Sequence, residues 1–319
     1  MQPALPLKSR FAPKLKPGMT ERQRRILHLL VDSYIQTQTP IASGVLAQQL
    51  SLSPAMVRYE LIELEQQGLI GKPHASAGRV PTRAGFRHYA LSKLPPSPLP
   101  QATLDKLAQV LDGAGSRREA LLVQVASKLA GYPAMLRLRP QRAPKLLQVH
   151  FSNLAPGRVL AVAVLEGGRV REARIELSFT PTEAQLNEAE QRLYRATGPV
   201  KASTPAMMEL LEAIGRTFAQ ASQEEYREGM SLLLSEPEAQ NPFFLRQAIA
   251  VFEAPSDPTF TPPGGMNVRV GEEEGLSLVQ AGLKVSDQVG ELTLLGPMRM
   301  RYERALSVAF TMSQVYMGK

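Results

Sequence analysis

The stretch Ser53-Pro54-Ala55-Met56-Val57-Arg58-Tyr59-Glu60-Leu61-Ile62-Glu63-Leu64-Glu65-Gln66-Gln67-Gly68 decides the fold. Ser53 suits a helix N-cap, and Pro54 suits the first helical position, where its missing N–H costs no hydrogen bond. Gly68 suits the stop. At 100° per residue Val57, Leu61 and Leu64 fall together and must face a core, while Ala55, Tyr59, Ile62 and Gln66 lie opposite with Arg58 on a flank. Upstream, Ser51-Leu52-Ser53 is a tight turn, preceded by a short helix over Gly44–Leu50. Before that, Thr20-Glu21-Arg22-Gln23 has the form of a capping box and opens a helix to about Thr37. Its apolar stripe is Ile26, Leu27, Leu30, Val31 and Tyr34. Helix, helix, short turn, helix is a helix-turn-helix.

Downstream, Leu69-Ile70-Gly71 and Arg79-Val80 flank a loop rich in Pro, Ser, Ala and Gly, which predicts a β-hairpin wing. Thr82–Lys93 reads as one more helix, and Leu94-Pro95-Pro96-Ser97-Pro98-Leu99-Pro100 as a semi-rigid linker. From Lys72 to Lys93 the basic residues are Lys72, Arg79, Arg83, Arg87 and Lys93, with no acid among them, and His74 and His88 lie in the same stretch. In a helix-turn-helix the outward face of the helix after the turn, here Pro54–Gln67, enters the major groove of DNA, where its N-terminal residues meet base edges. The candidate contacts there are Ser53, Ala55, Arg58, Tyr59 and Ile62. Arg58 suits a guanine edge or a phosphate, and Ala55 and Ile62 suit thymine methyls. Glu60, Glu63 and Glu65 confine base reading to the first two turns, since carboxylates repel phosphate. In the wing, Ser76, Ala77 and Gly78 bring backbone N–H groups toward a phosphate, and His74, Arg79, Arg83 and Arg87 complete the candidate set.

The charge distribution agrees. The net charge is +8, with 13 Lys/Arg against 5 Asp/Glu up to residue 93 and 24 of each beyond it. A basic module beside a neutral remainder is the footprint of a polyanion binder with a separate control or assembly part. Hydrophobic residues make up 44% of the 319, enough for real cores. The absence of cysteine excludes disulfides and thiolate metal sites and fits a reducing cytoplasm, the expected location. No apolar run approaches the roughly 18–20 residues that cross a bilayer, and the start lacks the apolar core of a signal peptide. The sequence holds no P-loop, HExxH, GxSxG or dinucleotide fingerprint, and its four histidines are scattered at 28, 74, 88 and 150. The expectation is a non-enzyme without metal or cofactor.

Residues 1–18 read as a flexible basic arm and 19–93 as the winged helix, followed by the linker 94–100. A capping box at Ser116-Arg117-Arg118-Glu119 opens a helix that stops at Gly131. Strand-like runs follow at about Leu146–Phe151, Arg158–Leu165 and Arg169–Leu177, with Gly167-Gly168 as a hairpin turn. Thr180-Pro181, Thr204-Pro205 and Asn241-Pro242 each pair an N-cap with a first-position proline. Strands return at about Met266–Val270, Leu276–Val285 and Glu291–Leu295, and a helix over Tyr302–Tyr316 closes the chain. This predicts an α+β fold whose second domain, 101–180 and 261–319, is interrupted by a helical insertion at 181–260. The stripes Met208, Leu211, Gly215, Phe218 and Leu245, Ile249, Phe252 are the candidate dimerisation surface of that insertion.

Pro73-His74-Ala75-Ser76-Ala77-Gly78-Arg79-Val80-Pro81-Thr82, followed by Gly85-Phe86-Arg87-His88-Tyr89, is close to the PHTSAGRIPT and GYRxY signature of the HrcA family of heat-inducible transcription repressors. Thr20–Leu27 resembles that family's opening helix, and Leu295-Gly296-Pro297-Met298-Arg299-Met300-Arg301-Tyr302 its IGPTRMxY. Gly168-Arg169-Val170 and Glu176-Leu177 carry a weaker likeness. The resemblance implies a repressor of chaperone operons that binds an inverted-repeat operator, CIRCE, as a dimer. It also implies a GAF-like domain, a helical inserted dimerisation domain and modulation by the GroEL chaperonin. The family's recognition helix usually reads Ile-Arg-Asn-Asp where this chain has Val57-Arg58-Tyr59-Glu60. Arg58 carries over and Tyr59 does not. The rival reading is a ligand-sensing winged-helix regulator with an effector in the GAF-like domain.

Overall fold

The computed structural model describes residues 19–74, 76–141, 146–166, 170–195, 204–221, 224–253, 260–272, 275–285 and 288–317. The basic arm, Ala75 and the Gly167-Gly168 turn lie outside the described residues. The fold is α+β, with an N-terminal winged helix followed by a GAF-like α+β domain.

The winged helix is built from α1 (Glu21–Thr37), α2 (Ser43–Leu50), α3 (Pro54–Gln66), β1 (Ile70–Gly71), β2 (Val80–Pro81) and α4 (Arg83–Ser92). The capping box forms as expected: the Gln23 backbone N–H donates to Thr20 Oγ1 at 3.2 Å, and the Thr20 N–H to Gln23 Oε1 at 2.9 Å. Ile26, Leu27, Leu30 and Val31 of α1 are fully buried together with Leu46, Val57 and Leu64. β1 and β2 pair antiparallel, and Ile41 adds a third edge through two 2.8 Å hydrogen bonds with the backbone of Arg79. This edge requires Gly78, because a Cβ there would lie 2.5 Å from Ile41 O.

The chain divides into two compact units. The first holds the winged helix and most of a five-stranded sheet of order β7-β3-β10-β9-β8. These strands are β3 (Ala134–Pro140), β7 (Glu224–Glu228), β8 (Met266–Val270), β9 (Leu276–Val285) and β10 (Gln288–Pro297). Val279, Ala281 and Leu283 of β9 are buried on the side that receives α11 (Tyr302–Met317), which also packs on α5 (Gln101–Asp112) and α6 (Arg118–Ala130). Leu276, Leu278 and Leu295 form a second core with Phe244, Ala248, Val251 and Phe252 of α10 (Pro242–Glu253).

The second unit is Arg137–Glu225 with Ser286–Val289. Its sheet is β4 (Leu146–Ala155), β5 (Arg158–Leu165) and β6 (Val170–Glu176), antiparallel throughout. Its helices are α7 (Glu183–Arg195) and α8 (Pro205–Ala221). Val159, Ala161, Ala163 and Leu165 of β5 pack with Leu186 and Ala189 of α7 and with Met207, Leu210 and Ile214 of α8.

The structure therefore divides the chain differently from the sequence-based cut at 181–260. Among the described residues strands β4 to β6 pair only with one another, so they join α7 and α8 in one module that is not purely helical. α10 packs on the five-stranded sheet and belongs to the first unit. Two helix starts also differ. The helix expected at Ser116 begins at Arg118 after a 3-10 turn over Gly115–Arg117. α7 is capped by Thr182, which exchanges hydrogen bonds with Gln185, while Thr180 Oγ1 accepts from the Gly157 N–H.

Candidate nucleic-acid interface

On α3 the Ser53 hydroxyl accepts the Met56 N–H at 3.2 Å, so its cap role is formed. Val57, Leu61 and Leu64 are buried, whereas Ala55, Met56, Arg58, Tyr59 and Ile62 are exposed. Tyr59 is 60% and Ile62 48% exposed, an unusual outlay of apolar surface unless something covers it. Met56 and, on α2, exposed Val45 extend the same apolar character. Sequence reasoning did not single out either one. Their signal was available at Met56, which sits one position from Ala55 in the first turn.

Two of the three acids of α3, Glu60 and Glu65, are paired within the module. Glu60 is 5% exposed, with Oε1 3.3 Å from Arg22 Nη1. Glu65 Oε2 lies 3.1 Å from Arg79 Nη2. Arg22 therefore belongs to the architecture of this face. It could not be found from sequence spacing, because its partner lies on another helix.

In the wing, His74 Nδ1 lies 3.2 Å from Ser76 Oγ and both residues are exposed. The Ala77 N–H donates to His74 O at 3.0 Å and the Arg79 N–H to Ile41 O at 2.8 Å. The first donor is consequently spent within the loop and the second on the Ile41 edge, and Ala77 and Gly78 are half-buried. Arg83 Nε donates to the Val270 carbonyl of β8 at 3.0 Å. A Cβ at Gly271 would come within 3.1 Å of the Arg83 side chain. Arg83 thus secures α4 to the sheet, and Arg87, on the same helix, is exposed. Lys93 Nζ reaches Glu303 at 3.1 Å, and Tyr89 lies edge-on to Tyr302 with ring centroids 6.3 Å apart, so an ion pair and a ring contact join the winged helix to α11.

On α1 and α4, the His28 and His88 ring centroids lie 6.1 Å apart, and His28 Nε2 and both His88 ring nitrogens are buried without a hydrogen-bond partner among the described residues. Burial, with the charges of His88, Lys93 and Arg24, lowers the His28 pKa from 6.5 to about 4. Burial and Arg24 lower that of His88. The unfolded chain therefore takes up these protons at a higher pH than the folded one. The stability that His28 contributes by staying neutral is complete above pH 6.5 and is lost as the pH falls toward 4. Stability against thermal unfolding is expected to fall by roughly 2 kcal/mol over that window, less than the full shift would give because the ring is partly open to solvent. His28→Gln should flatten the loss, and an unchanged pH profile for that variant would exclude His28 as its source.

The sequence-derived dimerisation stripes divide between the units. Met208 is 52% exposed on α8, Leu211 is half-buried against the second unit's core, and Gly215 and Phe218 are helical with side chains outside the described residues. On α10, Leu245 is half-buried, Ile249 is exposed and Phe252 is buried in the first unit's core. Phe252 is thus a core residue, and the two stripes do not form one helical module. Among the described residues no group of three or more His, Asp or Glu side chains is placed to hold a metal ion. No described helix is long and apolar enough to cross a membrane.

A capped helix with an exposed outer face, set in a helix-turn-helix and flanked by a short wing, defines a winged-helix DNA-binding transcription regulator. Residues 18–94 match the model of the winged helix-turn-helix transcription repressor HrcA DNA-binding domain, and 120–306 that of the HrcA protein C-terminal domain. The chain belongs to the HrcA family and is a DNA-binding transcription repressor. It is 30% identical to the heat-inducible transcription repressor HrcA of Methylococcus capsulatus, covering 91% of this chain and 93% of that one. It is likewise 30% identical to its counterpart in Chromobacterium violaceum, covering 91% and 95%. A crystal structure of a hypothetical protein shares the fold, with a TM-score of 0.55 and 19% identity over 94% of this chain and 98% of that one.

Proposed function

We propose that this protein represses heat-shock chaperone operons by binding a CIRCE-type inverted repeat as a homodimer, with its active fraction modulated by a GroEL-type chaperonin. The observation that carries the reading is the single outward face of α3 in each chain. One such face reads one half-site, and an inverted repeat needs a second copy related by a two-fold axis. Ser53, Ala55, Arg58, Tyr59, Ile62, His74, Ser76 and Arg87 are the residues assigned to DNA. The relatives' description as heat-inducible repressors supports control by temperature. A marginally stable repressor changes its active fraction several-fold for about 1–2 kcal/mol, so heat, or diversion of chaperonin to other clients, empties the operator.

An effector on the GAF-like sheet is the less supported reading. The segment over Thr261–Gly265 lies on that surface: the Thr261 N–H and hydroxyl donate to Glu291 at 2.8 and 2.7 Å, and a Cβ at Gly282 would overlap Pro262 O.

Selection of bound duplexes from a random DNA pool tests the proposal. The expected product is an inverted repeat, and enrichment of unrelated or single-half-site sequences overturns it. On the selected duplex, Arg58→Ala should cost about 1–3 kcal/mol and relax preference at one base. An equal loss on random DNA would assign Arg58 to the backbone instead. Operator occupancy should fall on mild heating and recover with chaperonin and ATP. Full occupancy throughout would exclude stability-based control.

A further inference from the structure

We propose that Arg79 and Glu65 form a latch that sets the angle of the wing against the reading helix, so that Arg79 is a positioning residue and not a phosphate ligand; this rests on the DNA-binding reading of α3. Arg79 lies in the wing's most basic loop, where charge alone assigns it to phosphate. Its surroundings assign it elsewhere. Its side chain is 14% exposed, its Nε is buried, and its Nη2 is paired at 3.1 Å with Glu65, on the last turn of α3. Its backbone N–H and C=O are both bonded to Ile41, which immediately precedes the segment leading into α2. The residue thus touches three parts of the module, the wing strand, the Ile41 edge and the reading helix, and its charge is opposed by a carboxylate. A guanidinium held this way offers phosphate little free surface. The same ion pair keeps the Glu65 carboxylate from repelling the DNA backbone, as Arg22 does for Glu60 in the middle of the helix.

The test uses the full chain and the duplex recovered by selection, with affinity measured at several salt concentrations beside melting temperature. Glu65→Gln preserves shape and removes the charge. It is expected to weaken specific binding about three- to fivefold, with the melting temperature near wild type and the salt slope unchanged. Arg79→Ala should show the same unchanged slope. The exchanged pair, Glu65→Arg with Arg79→Glu, should recover most of the lost affinity, a rescue that a merely structural role for either side chain does not predict. The latch is overturned if Glu65→Gln binds as well as or better than wild type, if Arg79→Ala lowers the salt slope by about 0.9, the loss of one phosphate contact, or if the exchanged pair binds no better than the single variants. A wild-type chain that enriches no duplex at all overturns the DNA-binding reading itself.

Discussion

Gly85→Ala is expected to prevent the winged helix from folding, although it adds a single methyl group to a helix. The Gly85 position in the first turn of α4 is pressed against the chain that leaves α3. The Gly85 N–H donates to Thr82 Oγ1 at 3.2 Å, the Thr82 hydroxyl donates to Gly68 O at 2.7 Å, and the Thr82 N–H donates to Leu69 O at 3.1 Å. An added Cβ would fall well inside van der Waals contact distance of Leu69 O and 3.1 Å from Leu69 C. Backbone held by this many hydrogen bonds cannot step aside. The cost is the overpacking penalty of about 1–3 kcal/mol or more, together with hydrogen bonds broken at about 1 kcal/mol each. Against a typical domain stability of about 5–15 kcal/mol that is enough to unfold a small module. Gly44→Ala is the matched control. Gly44 lies in α2 with nothing within 4 Å of its added Cβ, so the substitution should gain about 0.5–1 kcal/mol. Urea denaturation and operator binding read both. A Gly85→Ala variant that unfolds at the wild-type urea concentration would show that the α3–α4 seam is softer than its hydrogen bonding implies.

The reading helix was legible because every signal in it is local. Ser53, Pro54 and the Val57, Leu61, Leu64 stripe set its start and its buried face within one stretch, and the structure buries all three apolar residues. The fate of the arginines was not legible. Arg79 is answered by Glu65 on the preceding helix, and Arg83 by a carbonyl of Val270 on a distant strand. Charge patterning shows where cations are but not which facing element already neutralises them. β3 escaped notice for a related reason. Its sequence, Ala134-Met135-Leu136-Arg137-Leu138-Arg139-Pro140, alternates in a way that suggests a solvated face, yet Arg137 is 3% exposed. The strands β4 to β6 were recognisable individually from alternation and turns. Which sheet each would join depends on long-range pairing, and no local pattern encodes it. That gap moved the domain division from 181–260 to 137–225.

Removal of the second unit is expected to leave a monomer that has lost most of its operator affinity. The cut follows the structure: residues 141–223 are replaced by a short glycine bridge between Pro140 and Glu224, which end and begin the neighbouring strands β3 and β7. The α10 core of Phe244, Ala248 and Phe252 is then retained with its sheet. The motivation for placing dimerisation here is the unit's exposed apolar surface. Tyr194 on α7 is 71% exposed and Met208 on α8 52%, and Leu147, Leu154 and Val170 on β4 and β6 are exposed as well. A second copy would cover surface of this kind at little cost. Two winged helices joined in a dimer bind two half-sites with an effective concentration that raises affinity about 10²–10⁴-fold over one, so the monomer should lose a factor of that order. It should still bind an isolated half-site as wild type does at matched salt. Mass in solution and titration against whole and half operators decide the matter. A variant that halves in mass but holds the full operator with undiminished affinity would break the link between dimerisation and repression. One that stays dimeric would place the interface in the first unit, where exposed Ile249 and Leu234 are the next residues to substitute.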